Sequence, residues 1–239
     1  MSANRESDPY DALAPHYRDY SRLKANYLAA VDAFIIRHAP REPAALLDVG
    51  AGDGVRGMAL AQVLGAHRVV LADSSVEMVT RCRQAGADEV WHCAAETLPL
   101  TDQRFDVILC LWNVLGHLPD EVARLEALRR MAGQLSPGGK LFFDVNNRHN
   151  AAAYGQWRVL WRRMIDALYP NERRGDAIFD WRIGDQVFPG MGHLFTPREI
   201  RDLIQAADLS IENAVTANYT NGELSASFFL GQMLFIVSK

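Results

Sequence analysis

The stretch Leu46-Leu47-Asp48-Val49-Gly50-Ala51-Gly52-Asp53-Gly54 constrains this chain more than any other. A short apolar run that ends in an acid, followed by glycine at alternate positions, reads as a buried strand entering a tight turn. Glycine lets backbone approach a ligand because no Cβ stands in the way. Val55 to Leu64 follows with the apolar spacing of a helix. Strand, glycine turn and helix make the opening unit of a nucleotide-type fold, with the ligand expected at the carboxyl end of the strand.

The pattern then repeats. Arg68 to Ala72 is a second β-like run ending at Asp73, and Ser74-Ser75-Val76-Glu77 offers a capping box for a helix to about Gln84, with Ser74 as its cap. Asp88–Cys93, Phe105–Leu111 and Lys140–Val145 read as the next strands. Pro119-Asp120-Glu121 opens a helix between the last two, and Ser136-Pro137-Gly138-Gly139 is a turn. Two further strands, near Leu209–Ala217 and Ser225–Val237, close the chain. The expectation is an α/β, doubly wound, mostly parallel seven-stranded sheet of Rossmann-like type. Residues 1–40 read as an N-terminal helical lid, with Tyr10, Leu13 and Tyr17, then Tyr27, Val31, Phe34 and Ile35, at helical spacing. Residues 41–145 form the cofactor-binding core and 196–239 its remainder, reopened by the capping box Thr196-Pro197-Arg198-Glu199. Between them, 146–195 is too long for a connection and reads as an inserted substrate lid, with a helix over Tyr154–Leu168.

Charge and cysteine content narrow the function. A formal net charge of −4 gives no bulk attraction to polyanions. Cys82, Cys93 and Cys110 are odd in number and unpaired in spacing, so neither a disulfide frame nor a metal site is expected. No apolar run approaches the length of a membrane span, so a soluble cytoplasmic chain with no membrane partner is expected.

The glycine turn does not fit a dinucleotide site, because Val55 stands where that fingerprint wants its third glycine. Asp-x-Gly-x-Gly-x-Gly resembles instead the first motif of class I S-adenosylmethionine-dependent methyltransferases, of the small-molecule type. Leu71-Ala72-Asp73-Ser74-Ser75-Val76-Glu77-Met78 is similar to that family's second motif, and Ala94-Ala95-Glu96-Thr97-Leu98-Pro99-Leu100 to its third. Phe105-Asp106 through Leu118 is similar to the fourth, and Tyr10-Asp11-x-x-Ala14-x-x-Tyr17 to its N-terminal lid.

The resemblance implies S-adenosyl-L-methionine as cofactor. It implies contacts from Asp48, Gly50, Ala51 and Gly52, with Asp73 on the ribose hydroxyls beside Ser74. Met78 falls near the adenine, and Ala95 and Glu96 substitute for the acid that the family has at Ala94. Leu111, Trp112 and Asn113 face the transferred methyl, and Tyr17 and Arg22 lie near the cofactor's carboxylate. For each aromatic residue, packing on the sheet is the competing role.

Methyl transfer to a hydroxyl or an ammonium needs a base. His117, His149 and His193 follow strands or precede the capping box, at the loop ends where such sheets bind ligands. Tyr20, Asn146, Tyr154, Trp157 and Trp181 are candidates for the acceptor pocket. Arg148, Arg158, Arg162, Arg163, Arg173, Arg174 and Arg182 offer partners for an anionic acceptor, or form a solvated face. The leading expectation is methyl transfer to an oxygen or nitrogen of a small molecule. The alternatives are methylation of a nucleotide in transfer RNA, with RNA as the partner, and non-catalytic binding of the cofactor.

Overall fold

The computed structural model describes residues 14–183 and 186–239, without the side chains of Glu172, Trp181, Arg182, Ile183, Gln186, Phe188 and Pro189. Tyr10, Asp11 and Leu13 of the lid motif lie outside the described residues. The chain opens with a 3-10 turn, Ala14–His16, and helices α1 (Tyr17–Arg22) and α2 (Ala25–His38). The break at Leu23-Lys24 divides what the periodicity predicts as one helical stretch. Strand β1 (Leu46–Val49), helix α3 (Val55–Leu64), β2 (Val69–Asp73), α4 (Val76–Ala85) and β3 (Glu89–His92) follow. Then come β4 (Phe105–Cys110), α5 (Glu121–Gln134) and β5 (Leu135–Val145).

The segment after β5 holds α6 (Ala151–Tyr154), α7 (Gln156–Leu168) and the antiparallel hairpin β6 (Asp176–Ile183) and β7 (Gln186–His193). The expected single helix over 154–168 is split at Gly155, whose φ of +84° leaves the helical region. Helix α8 (Pro197–Ala206), β8 (Ser210–Ala217), β9 (Leu224–Ser225) and β10 (Gln232–Ser238) complete the fold.

The main sheet runs β3-β2-β1-β4-β5-β10-β8-β9. It is parallel from β3 to β5, and β10 enters antiparallel between β5 and β8. Eight strands replace the expected seven, because Leu224–Ser225 adds a two-residue edge to β8. An edge that short carries no periodicity for a sequence reading to find. Strand β5 also starts earlier than expected, with Leu135 opposite Phe105 before the register shifts to Val107 opposite Lys140.

Both faces of the sheet are covered, which explains the uninterrupted apolar runs of β1, β2 and β4. On one face Leu46, Leu71, Leu109, Phe142 and Leu234 pack with Val31 and Ile35 of α2 and Leu60 and Leu64 of α3. On the other, Leu47, Ile108, Phe143 and Phe235 pack with Leu128 and Met131 of α5 and Ile200 and Leu203 of α8. Helix starts are fixed by side-chain caps. Thr196 and Glu199 form the expected reciprocal box, and Asp120 caps α5. Ser75 caps α4, by accepting from Met78 N at 3.2 Å, where the sequence pattern favours Ser74. The reason is register: Asp73 Oδ1 takes Ser75 N at 2.9 Å, which starts the helix one residue later.

Candidate active site

The glycine turn closes the carboxyl end of β1. Gly50 N and Ala51 N both donate to Ala72 O, at 2.8 and 3.0 Å, and Gly52 N donates to Asp73 Oδ2 at 2.8 Å. Gly50 and Gly52 have φ of +71° and +58°, and a Cβ at either would collide with a neighbour. At Gly50 the neighbour is Val114, and at Gly52 it is the Tyr17 hydroxyl, 2.7 Å from the added atom. The backbone is therefore bare where α1 and the chain after β4 converge on it.

The chain after β4 makes the opposite wall. Trp112 and Asn113 both adopt left-handed backbone, φ +67° and +64°, which non-glycine residues avoid. Asp144 at the end of β5 holds them there. Its Oδ1 accepts from Trp112 N at 2.6 Å, its backbone O accepts from Asn113 N at 3.2 Å, and its Oδ2 accepts from the Tyr27 hydroxyl at 2.5 Å. Asn113 Oδ1 accepts from Asn146 N at 2.8 Å, while its buried Nδ2 has no partner among the described residues. Burial pushes the Asp144 carboxyl up, and Tyr27, Trp112 and Arg56 pull it back.

Aromatic rings line the space between the two walls. Tyr20 stacks on Trp112 at 5.3 Å, Tyr17 meets it edge-on at 5.7 Å, and Trp112 Nε1 donates to the Tyr219 hydroxyl at 2.9 Å. Burial and the adjacent Asp53 raise the Tyr17 phenol above its usual range, with Asp73 and Asp48 adding to the effect. Asp48, Asp53 and Asp73 thus give the floor of the cleft negative character. Asp48 packs its carboxylate on Gly57 of α3. Burial, opposed by Arg56 and reinforced by Asp73 and Asp32, pushes that carboxyl up to about 7.

The other expected residues are dispersed around this cleft and beyond it. Met78 is fully buried in the first turn of α4 and Leu111 is buried after β4. Ala95 and Glu96 lie on a 3-10 turn after β3, where the buried Glu96 Oε2 has no partner among the described residues. Ser74 is exposed, and its carbonyl faces His92 Nε2 at 3.0 Å. Arg22 is directed elsewhere: it pairs with Asp19 at 3.1 Å on the surface, and Arg18, one turn earlier, reaches Asp53 at 3.0 Å instead. Trp157 is 80 % exposed on the outer face of α7, opposite the buried Val159. Tyr154 is half-buried beneath the Arg162 guanidinium, 4.5 Å from its ring. Trp181 lies on β6, paired with Phe188, and its side chain is outside the described residues.

The three histidines are not equivalent. His149 Nε2 sits 3.0 Å from Asp166, which also pairs with Arg148 at 2.9 Å. Burial lowers the His149 pKa despite that carboxylate. His193 is almost wholly buried between two carboxylates, Asp176 at 2.8 Å from Nδ1 and Glu199 at 2.6 Å from Nε2. His117 ends the 3-10 turn Val114–His117, with Nδ1 3.0 Å from Met191 O and its ring edge-on to Phe179. A carbonyl can only accept, so Nδ1 donates and the lone pair of the neutral ring sits on Nε2.

Asp144, Arg18, Asp53 and Tyr219 join the cleft without having been singled out. Asp144 carried a signal, since it is an acid closing an apolar strand as Asp48 and Asp73 are. Arg18 and Tyr219 carried none, because their partners lie 35 and 107 residues away.

These walls fit a cofactor with cationic groups and a ribose. The glycine cradle would be filled by any side chain, Asp73 presents a carboxylate at the end of β2 beside it, and Glu96 carries a buried acceptor oxygen without a partner among the described residues near the end of β3. Comparison with known proteins agrees. Residues 46–139 match the methyltransferase domain family. The chain is 32% identical to the cypemycin N-terminal methyltransferase of a Streptomyces species over 182 residues, 72% of this chain and 74% of that protein. It is 39% identical over 113 residues to the ubiquinone biosynthesis O-methyltransferase of Idiomarina loihiensis, 44% of this chain and 43% of that one. It is 29% identical over 147 residues to probable tRNA methyltransferase 9B of Bos taurus, 59% of this chain. The match spans less than half the length of these last two relatives, 43% and 30%. Among solved structures, the DhpI-SAM-HEP complex superposes with a TM-score of 0.67 at 19% identity, over 96% of this chain and 94% of that one. The chain belongs to the class I S-adenosylmethionine-dependent methyltransferases.

Two outcomes follow from the geometry. Asp144→Asn offers one acceptor oxygen where Trp112 N and the Tyr27 hydroxyl need two, so urea unfolding is expected to show a loss of about 1–3 kcal/mol. Asp48 binds its proton more tightly folded than unfolded, so its burial costs stability progressively as pH rises from about 4 to about 7 and no further above that. The stability of Asp48→Asn relative to the unsubstituted chain should therefore climb across that window, by at most about 1.4 kcal/mol per pH unit. A difference independent of pH would contradict the elevated carboxyl.

Proposed function

We propose that this chain transfers a methyl group to an oxygen or nitrogen of a small molecule, with His117 accepting the acceptor's proton. The observation that carries the reading is the His117 tautomer, set by the Met191 carbonyl on a 3-10 turn that begins at Val114 against Gly50. His149 and His193 are engaged by the carboxylates of Asp166, Asp176 and Glu199 and serve the lid's own structure. Bound at the glycine turn, S-adenosylmethionine supplies an electrophilic methyl group, so the protein needs only to align the acceptor and take its proton.

The residues divide that work. Gly50, Ala51 and Gly52 give close backbone approach, Asp73 takes the ribose hydroxyls, and Met78, Ala95 and Glu96 surround the base. The acids at this edge, Asp73 foremost, favour the sulfonium of the cofactor over the thioether product, which keeps the ammonium and carboxylate but has lost that one charge, and this assists turnover. Tyr17 covers the cleft from α1, with Arg18 tying that helix to Asp53. Leu111 to Asn113, Tyr20 and Asn146 face the acceptor, with the hairpin β6–β7 above them. An acceptor with an ionisable hydroxyl or amine and no fixed anion suits this pocket. Arg148, Arg162 and Arg174 are already engaged, by Asp166 and by the carbonyls of Arg148, Arg174 and Tyr169.

A second reading, methylation of a transfer-RNA nucleotide, is favoured by the likeness to the bovine relative and by the exposed Arg158, Arg163 and Arg173. Incubation with methyl-labelled cofactor and fractionated cell extract separates the readings. Label is expected in the small-molecule fraction; label in RNA would replace the proposal with the second reading, and label in neither would leave a binding protein. His117→Gln is expected to slow transfer about a hundredfold with unchanged cofactor affinity. Transfer at the normal rate would remove His117 as the base.

A further inference from the structure

Helix α7 is mounted with its apolar face outward. Val159 is its buried residue, and Arg162 and Asp166, three and seven residues on, share that inner side. Opposite them, Trp157, Leu160, Trp161, Met164 and Leu168 are 80, 49, 63, 46 and 65 % exposed. Their spacing of three and four residues makes one continuous stripe. A surface helix ordinarily hides such a stripe, and a contiguous exposed one marks an interaction surface.

Charge selects the partner. Residues 146–175 hold six arginines and two acids in a chain whose formal net charge is −4. Within α7 the acid is Asp166, tied inward to Arg148 and His149. Arg158 is exposed on one flank of the stripe, Arg163 on the other lays its guanidinium over Phe229 at 4.2 Å, and Arg173 is exposed beyond the helix end. A second copy of this chain would bring the same arginines opposite one another with no carboxylate on the stripe to pair them. RNA would satisfy the arginines and leave the apolar stripe in water. An anionic bilayer surface satisfies both, with Trp, Leu and Met entering the headgroup boundary and arginines reaching lipid phosphates along the rim.

We propose that the outer face of α7 is a docking surface for anionic membranes, binding in the plane of the interface. The sequence expectation of no membrane partner rested on the lack of a spanning run, and interfacial adsorption needs only an amphipathic stripe. The inference stands on α7 and is independent of which acceptor is methylated.

The test is partition of the full chain onto extruded vesicles of phosphatidylcholine alone and of phosphatidylcholine with about one-third phosphatidylglycerol. Expected are at least about tenfold stronger binding to the anionic vesicles, weakening with salt, and a blue shift of tryptophan emission. The variant carrying Trp161→Ser, Met164→Ser and Leu168→Ser should lose binding while keeping its circular dichroism and cofactor affinity, because these side chains face solvent. Arg158→Glu should lower binding to the anionic vesicles by about tenfold and make it less dependent on salt. Equal binding to both vesicle types, or undiminished binding by the triple variant, would overturn the proposal. So would a lipid-free dimer that the triple variant disperses, which would give the stripe to a second copy.

Discussion

The Asp144 carboxylate sits where three parts of the molecule must agree. One oxygen takes Trp112 N after β4, the other takes the Tyr27 hydroxyl of α2, and the residue itself is the last but one of β5. Without an acceptor on both sides, the two left-handed residues Trp112 and Asn113 would relax towards ordinary backbone. Tyr27 would be left as a buried donor with no partner. The cost of desolvating that carboxylate is offset by charge-assisted hydrogen bonds and by Arg56, which is itself held by Asp32 at 2.7 Å. The aromatic wall of the cleft, from Tyr20 through Trp112 to Tyr219, depends on this arrangement.

The cleft is built at the point where a parallel sheet leaves backbone groups and strand-end acids without neighbours. Asp48 is the last residue but one of β1 and Asp73 the last of the adjacent β2, and Asp53 follows in the turn, so negative character accumulates at one edge. Such an edge repels a second acid and suits a cation. The lid elements respond accordingly: Arg18 neutralises Asp53 from α1, and Tyr17 brings a neutral hydroxyl among the three carboxylates. On the far side, the hairpin β6–β7 is pinned at its base by Asp176, His193, Glu199 and Arg124, and β7 orients His117.

Much of this was legible in the sequence, and the reason is locality. The β1–turn–α3 unit, the acid ending β2 and the Thr196 box are decided by residues within a few positions of one another. Where local pattern and structure differ, distance is the cause. Ser74 and Ser75 differ as caps only once Asp73 is known to hold Ser75 N. Arg22 and Arg18 are one turn apart in a helix, and only the docking of α1 decides which meets Asp53. Trp157 and Trp161 have the spacing of a buried stripe, and periodicity alone cannot say that the stripe faces out.

By itself the sequence determined the doubly wound core, the glycine cradle and the strand-end acid beside it, because those follow from short-range patterning and the absence of side chains at glycine. Tertiary structure decided the rest: that Asp144 clamps a strained loop, that two of three histidines are engaged by distant or lid carboxylates, and that α7 turns its tryptophans to solvent. Each of those is a contact between residues far apart in the chain, fixed by packing geometry that no local pattern encodes.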